Sequence, residues 1–290
     1  MNMDAMINNA NVLLEALPYI QVLSGKTVVI KYGGNAMLED HITKTIMQDI
    51  TLLKYVGVNP IVVHGGGPEI NTLLKRLDIP TRFHNGLRIT DAQTMEAVQM
   101  VLTGKINKDI VASLNAMGGR AIGLCGIDAN LIRCTKAPLM DGEDLGFVGN
   151  IESINTNVIK LLTDDEFIPV IAPIGVDENG ESYNINADTV AGELAAALHA
   201  EKLIFLTDID GIRTERDDPS TLIPVISVSE IYSAIDSGMI EGGMIPKVLG
   251  CVQALKKGVN RTHILNGTIP HPIVLEIFTD KGIGTMVTKD

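Results

Sequence analysis

Positive charge, cysteine and long apolar runs are all scarce in this 290-residue chain. Its 23 lysines and arginines face 35 acidic residues, a formal charge of -12, which excludes a general nucleic-acid binder because that function needs a basic footprint. A phosphorylated ligand is not excluded, since a few local lysines, arginines and backbone amides can hold one. Cys125, Cys134 and Cys251 form no CxxC pair and no even framework, so a reducing compartment and three small buried residues are expected. The six histidines fall in no HExxH or other metal spacing, and no protein-held metal is expected. No stretch approaches ~20 uninterrupted apolar residues, so no membrane span is expected. No basic region precedes a long apolar run at the start, so no secretory leader is expected either. The P-loop pattern GxxxxGK[ST], a well-placed GxGxxG and the GxSxG elbow are all missing, which removes the usual nucleotide-binding and hydrolase signatures.

What is present is a foldable chain. Hydrophobic residues make up 46% and charged residues 20%, enough for one large domain or two closely joined lobes. Only Met1 to Ala10 reads as a loose start. Short β-rich runs recur at 27–31, 61–64, 121–124, 168–171, 203–206 and 262–265. Most are continuously apolar, as in parallel strands buried on both faces. Helical patterns lie between them. Thr90-Asp-Ala-Gln93 reads as a capping box opening a helix with Met95, Val98, Leu102 and Ile106 at helical spacing, ending near Gly118-Gly119. Residues 187–200 and 244–257 read as two more helices. This alternation predicts an α/β fold, an open αβα sandwich with a mostly parallel central sheet. Residues 132–135 and 146–151 read as a hairpin or flap. The turn at Asp177–Gly180 divides the chain into lobes 1–180 and 181–290.

Several clusters could carry chemistry. Lys31-Tyr-Gly-Gly34 follows an apolar strand directly. A lysine at a strand's carboxyl end points into the crevice where open α/β sheets bind ligands, and Gly33 and Gly34 let backbone amides approach an anion. An ordinary strand–turn with a solvated lysine is the other reading. His64-Gly-Gly-Gly-Pro68 repeats the pattern, with Pro68 suited to a helix's first turn, so Gly66 and Gly67 could form an anion site. A tight turn with a satisfied structural histidine is the alternative. Arg88 stands beside a helix start and could clamp a carboxylate with two parallel hydrogen bonds; a surface arginine would look the same. Asn184, Asn186 and Asp188 fall on one side of an extended segment entering a helix. They could line a wall, with Asp188 holding lysines, or cap the helix. Lys247 lies in a first helical turn, where the dipole disfavours a cation, just after Gly242-Gly243. The segment Thr207-Asp208-Ile-Asp-Gly211 runs from a strand into a polar turn, a wall for a nucleotide base or ribose.

In order, VVIKYGGNAM, VVHGGGPEIN, HNGLRITD, SYNINADTVAGE, LTDIDGI and GGMIPKV make the chain, from about Val12 to Val287, resemble the amino acid kinase superfamily and, within it, the acetylglutamate kinase family. The resemblance implies ATP-dependent phosphorylation of the γ-carboxylate of N-acetyl-L-glutamate in arginine biosynthesis, with ATP and Mg²⁺. By the same resemblance Lys31 and Lys247 would neutralise the transferring phosphoryl group, and Asp188 would orient both. Gly66, Gly67, Arg88, Asn184 and Asn186 would hold the acylated amino acid, mainly against the first lobe. Gly33, Gly34, Thr207, Asp208, Gly211 and Gly243 would contact ATP, which lies largely against the second lobe.

The chain is further similar to the arginine-inhibited branch. Asn11 to Leu23, with Val12, Leu13, Leu14 and Leu17 at helical spacing, matches a helix that there links dimers into a hexamer, a trimer of dimers. Lys202, His263, Glu276 and Gly282 match positions that bind L-arginine, although a docking helix and a core-closing strand would leave the same pattern. Some relatives also bind a PII signalling protein. The resemblance implies a cytoplasmic enzyme, or a stromal one in a plastid. The rival expectations are a glutamate 5-kinase or carbamate kinase of the same superfamily, or a non-catalytic amino-acid sensor.

Overall fold

The computed structural model describes residues 3–37, 39–215 and 218–290. Eight strands form the central sheet: β1 (Thr27–Tyr32), β2 (Asn59–His64), β3 (Ala121–Cys125), β4 (Ile168–Ala172), β5 (Lys202–Thr207), β6 (Val225–Ser227), β7 (Arg261–Asn266) and β8 (Thr285–Thr288). Their order is β6-β8-β7-β5-β1-β2-β4-β3. Pairing is parallel from β7 through β3, while β8 runs antiparallel to β7 and parallel to β6.

The apolar strands are continuous because both faces are covered. Alternate residues divide between two cores: Val28, Ile30 and Tyr32 join one, while Val29, Ile61 and Val63 join the other. The helices Asp40–Tyr55 and Asn107–Ala116 cover the first face. The helices Ala187–Ala197 and Met244–Lys256 cover the second. Both expected edges of the hairpin form, as strands Ile132–Lys136 and Gly149–Ile154, and they join Ile174–Val176 and Ser182–Asn184 in a smaller sheet.

The strand order places β1 between β2 and β5, so the chain leaves β1 in one direction and returns on its other side. That reversal opens a crevice at the strands' carboxyl ends, where open α/β sheets bind ligands.

Three local expectations need correction. Met3–Glu15 is helical rather than loose, and Leu17–Leu23 is a second helix started by Pro18. The spacing of Met3, Met6, Ile7 and Ala10 carries the helical pattern further toward the start than the loose reading allowed. Asp91, not Thr90, caps the helix at Ala92–Gln99, its carboxylate accepting from Thr94 N at 2.8 Å. The helix then widens into a seven-residue π-helix, Met100–Ile106, before resuming as Asn107–Ala116. Leu13, Leu14 and Leu17 are exposed, and the Val12 side chain lies outside what the structure describes. No helix among the described residues is long and apolar enough to cross a membrane.

Candidate active site

Both glycine loops meet at the crevice. Lys31 is the penultimate residue of β1 and His64 ends β2, two strands paired in register through Lys31↔Val63 and Tyr32↔His64. Gly65 N donates to Tyr32 O at 2.8 Å, which ties the loops together. A methyl group on Gly33 would stand 3.2 Å from Gly65 N, a tight contact that glycine avoids where the two backbones lie close. Gly34 takes φ 68°, the left-handed region that favours glycine.

Lys31 Nζ lies 2.8 Å from Asp188 Oδ1, a pair formed across the crevice from β1 to the Ala187–Ala197 helix. Lys247 behaves differently. Its ammonium is 3.7 Å from Asp208 Oδ1, at the turn after β5, so the structure gives each lysine its own carboxylate. Lys247 stands on the far wall, in the Met244–Lys256 helix, and Asp208 is the carboxylate paired with it there.

A cavity of about 190 Å³ opens beside the glycine loop, lined by Gly66, Gly67, Arg88, Asn184 and Asn186 together with apolar Ile70, Phe83, Leu87 and Leu102. All five residues singled out for an amino-acid ligand therefore share one pocket. Arg88 is buried and stacks over the Phe83 ring at 4.7 Å. Its Nη2 donates to Asn71 Oδ1 at 2.6 Å, whereas Nη1 is buried with no partner among the described residues. A guanidinium half-anchored in this way offers its free edge to an anion. Asn184 Nδ2 donates to Thr90 Oγ1 at 3.3 Å. Asn186 caps the following helix, its Oδ1 accepting from Asp188 N at 2.7 Å and Thr189 N at 3.3 Å, and still lines the cavity. The capping and wall-lining readings both hold for it.

A larger cavity of about 510 Å³ adjoins, with Asp188, Asn186, Gly243 and Lys247 on its walls. The polar turn after β5 is only partly open to a ligand. Thr207 is buried, its hydroxyl accepting from Ile209 N at 3.2 Å. Gly211 is explained by packing, since a methyl there would come within 2.5 Å of Thr285 Oγ1. Asp210, next to Asp208, accepts from Asn266 Nδ2 at 2.7 Å and pairs with Arg213.

Lys202, His263, Glu276 and Gly282 also come together, away from this crevice. Lys202 Nζ is 3.0 Å from His263 Nε2, and His263 Nδ1 is 2.7 Å from Glu276 Oε1. Glu276 Oε2 accepts from Ile283 N and Gly284 N at 2.7 and 3.0 Å. Gly282, at φ 59°, folds against that carboxylate. An ammonium only donates, so His263 Nε2 accepts and Nδ1 carries the proton given to Glu276. Burial pushes the His263 pKa down, which suits this neutral form. Burial pushes Glu276 up, but bonds from His263 and the two amides outweigh it and hold the carboxyl low. Buried Asp49 accepts from Ile273 N at 3.1 Å and so fixes the helix that carries Glu276.

Burial, reinforced by Arg261, lowers the Lys202 pKa to about 8 from an ordinary 10.5. Between those values the unfolded chain holds a proton that the folded chain has released, so this residue makes stability rise with pH from about 8 to 10.5. Lys202→Met is expected to flatten that part of the profile relative to the parent protein in urea unfolding. Identical slopes would mean that the ammonium is not desolvated.

Asn71, Thr90, Phe83 and Asn107 were not legible as site residues. Asn71 carried one usable signal, its position one helical turn after Gly67, on the face toward the pocket.

Residues 26–266 match the amino acid kinase family. Acetylglutamate kinases from Caldicellulosiruptor saccharolyticus and Desulforamulus reducens are 62% and 54% identical to this chain, covering 98% of it in each case and 98% and 99% of their own lengths. Among solved structures, the N-acetylglutamate synthase from Neisseria gonorrhoeae complexed with coenzyme A and N-acetyl-glutamate has a TM-score of 0.86 at 27% identity. That match covers 97% of this chain and 63% of the synthase, so the chain spans under two thirds of that protein. Carbamate kinase from Giardia lamblia bound to AMP-PNP shares the fold, with a TM-score of 0.67 at 18% identity over 92% of this chain and 99% of its own.

Proposed function

The chain belongs to the amino acid kinase family, and from that membership we infer that it catalyses ATP-dependent phosphorylation of the γ-carboxylate of N-acetyl-L-glutamate, a reaction of arginine biosynthesis. One observation carries the reading to the residues: the pocket that holds the free edge of Arg88 opens beside the Gly66–Gly67 amides and the adjoining Lys31–Asp188 wall.

The chemistry asks little of the protein beyond position and charge. A side-chain carboxylate with an ordinary pKa of about 4.3 is already ionised at neutral pH, so no general base is needed. Its oxygen attacks the γ-phosphorus, the bond to the β,γ-bridging oxygen breaks in line, and ADP leaves with that electron pair. Arg88 Nη1 takes the α-carboxylate, and the apolar walls Ile70, Phe83 and Leu102 accept the acetyl methyl group. The Gly66 and Gly67 amides, Lys31 and Lys247 neutralise charge on the transferring group. Asp188 holds Lys31, and Asp208 holds Lys247.

Gly33 and Gly34 border the phosphates, and the Thr207–Gly211 turn with Gly243 borders the nucleoside. Mg²⁺ would arrive with the nucleotide and would neutralise charge on its phosphates, with Asp188 and Asp208 the carboxylates placed to hold it. The residues fit that arrangement, since Asp188 and Asp208 stand at the crevice and no group of three or more His, Cys, Asp or Glu among the described residues forms a cage of its own.

ADP formation with ATP, Mg²⁺ and N-acetyl-L-glutamate, compared with L-glutamate and carbamate, tests the assignment. Turnover selective for the acetylated acid is expected. Preference for either other substrate would move the chain to another branch of the family, and no turnover with any would favour a sensor.

The Lys202–His263–Glu276–Gly282 cluster is proposed as the site where L-arginine inhibits. Its support is the assembly of all four residues on one buried network next to a helix pinned by Asp49. His263→Asn is expected to retain turnover without arginine and to raise the arginine concentration needed for half-inhibition. Unchanged inhibition would remove the cluster from regulation. The exposed Met6, Ile7, Leu13 and Leu14 of the first helix are proposed to join dimers into a hexamer, which sedimentation with and without residues 1–23 would test.

A further inference from the structure

His64 was left between a structural and a functional reading, and its surroundings decide for a function. The imidazole is wholly buried at the end of β2. Its Nε2 lies 3.2 Å from Asn107 Nδ2, and its Nδ1 lies 2.9 Å from Gly65 O.

Asn107, the first residue after the π-helix, is equally buried. Its carboxamide can face only one way. Lys108 Nζ, which only donates, is 3.0 Å from Asn107 Oδ1. Val170 O, which only accepts, is 2.9 Å from Asn107 Nδ2. The amide hydrogens have three acceptors within reach, Val170 O, His64 Nε2 at 3.2 Å and Leu124 O at 3.4 Å. An amide nitrogen cannot accept, so a proton on Nε2 would find no acceptor there, whereas the Gly65 carbonyl beside Nδ1 can only accept. The proton of a neutral imidazole therefore sits on Nδ1 and is given to Gly65 O. Gly123 makes the arrangement possible, since a methyl group there would come within 1.7 Å of Asn107 Oδ1.

The consequence lies one peptide further on. In a planar trans peptide the carbonyl and the following N–H point to opposite sides. Holding Gly65 C=O toward the protein interior aims Gly66 N–H outward, into the cavity that Gly65, Gly66 and Gly67 line. No acceptor among the described residues takes that N–H. The other end of the Gly65 residue is held as well, by Gly65 N donating to Tyr32 O at 2.8 Å. Leu102 and Ile106 of the π-helix close against the Gly66 α-carbon, where an added methyl would meet them at 2.7 and 2.4 Å.

We propose that His64 is a positioning residue for phosphoryl transfer: locked by Asn107 as the Nδ1–H tautomer, it fixes the Gly65 carbonyl and so aims the Gly66 N–H at the transferring group. This rests on the kinase reading above. The lock holds across the working pH range, because burial lowers the His64 pKa to about 4, assisted by the nearby Lys108 ammonium. Lys108, from the Asn107–Ala116 helix, is the charged group that acts on it, and Tyr32 stands opposite it on β1; its hydrogen-bond neighbours are the Asn107 amide and the Gly65 carbonyl.

Nitrogen-15 NMR of the intact enzyme labelled at histidine tests the lock directly. Protonated Nδ1 and unprotonated Nε2 at His64 are expected throughout about pH 6 to 8.5. An Nε2–H tautomer, or an imidazolium in that range, would overturn the proposal, and this measurement needs no variant to fold. Kinetics test the consequence. In His64→Asn the side-chain amide occupies the place of Nδ1 and can still donate to Gly65 O. In His64→Gln the amide sits near Nε2 and leaves that carbonyl without a donor. His64→Gln is expected to lower kcat by roughly 10- to 100-fold with KM for ATP little changed, because the misaimed donor serves the transition state. His64→Asn is expected to recover most of that loss. Equal kcat in the two variants, or a loss confined to thermal stability, would sink the idea. A parent enzyme inactive on N-acetyl-L-glutamate would instead refute the substrate assignment and leave the tautomer result standing.

Discussion

Lys31→Ala is expected to lower kcat by about 10²-fold or more while KM for either substrate moves little, since a lost transition-state contact costs a few kcal/mol. The lysine is next to last in β1, and its ammonium is held at 2.8 Å by Asp188. That pairing fixes a cation where charge develops, so none of the cost of orienting it falls on the chemical step. Some loss of stability is expected alongside, because Asp188 keeps 37% side-chain exposure but its Oδ1, the oxygen facing Lys31, is buried and loses its ammonium partner. Lys247→Ala should show the same split between kcat and KM from the opposite wall, through loss of the cation paired with Asp208. Steady-state kinetics on both variants, with unfolding midpoints measured alongside, decide the matter. A near-parental kcat for either lysine removes it from the catalytic set. Asp188→Asn adds a finer test, because it should impair Lys31 without touching the Lys247–Asp208 pair.

Arg88→Met should act on the other kinetic constant. KM for N-acetyl-L-glutamate is expected to rise by about 10²-fold, the equivalent of one or two hydrogen bonds to a charged group at about 1.5–3 kcal/mol each. KM for ATP should stay near its parental value. The argument rests on the division of the guanidinium: Nη2 is committed to Asn71, and buried Nη1 has no partner among the described residues. A buried donor left in that state is costly unless a ligand completes it. Arg88→Lys should not rescue, because an ammonium cannot bond Asn71 and a carboxylate in one plane while stacking on Phe83. Parallel increases in both KM values, or a rescue by lysine, would show that Arg88 shapes the pocket without binding the acid.

How much of this was legible beforehand depended on how local the cause is. The glycine loops after β1 and β2 could be read directly, because close backbone approach and an amide-lined turn need glycine at those positions whatever the rest of the chain does. The continuous apolar runs marked the buried parallel strands for the same reason. The edge strand β6 and its neighbour β8 went unread, being three and four residues long with no apolar run to announce them. The helix cap fell on Asp91 where the pattern had suggested Thr90, since Thr90 is drawn into the flap instead, with Thr90 N donating to Leu145 O and Thr90 O accepting from Phe147 N. Asp188 was expected to orient both lysines; it pairs with Lys31 and shares a cavity with Lys247, whose ammonium lies 3.7 Å from Asp208 Oδ1, a partner the sequence did not suggest.

The π-helix is the clearest case of what sequence alone could not supply. Met95, Val98, Leu102 and Ile106 have ordinary helical spacing, and nothing in them announces an inserted residue. The widening follows from Leu102 and Ile106 having to close on a bare Gly66 while Asn107 reaches Val170 on β4 and His64 on β2. The sequence by itself determined the α/β class, the family and which side chains could serve a phosphoryl transfer, because each follows from short-range steric and apolar requirements. Tertiary structure decided which carboxylate holds which lysine, which edge of Arg88 is free and which nitrogen of His64 carries the proton. Those are matters of hydrogen-bond partners brought together from distant strands, and a partner exists only once the sheet has placed it.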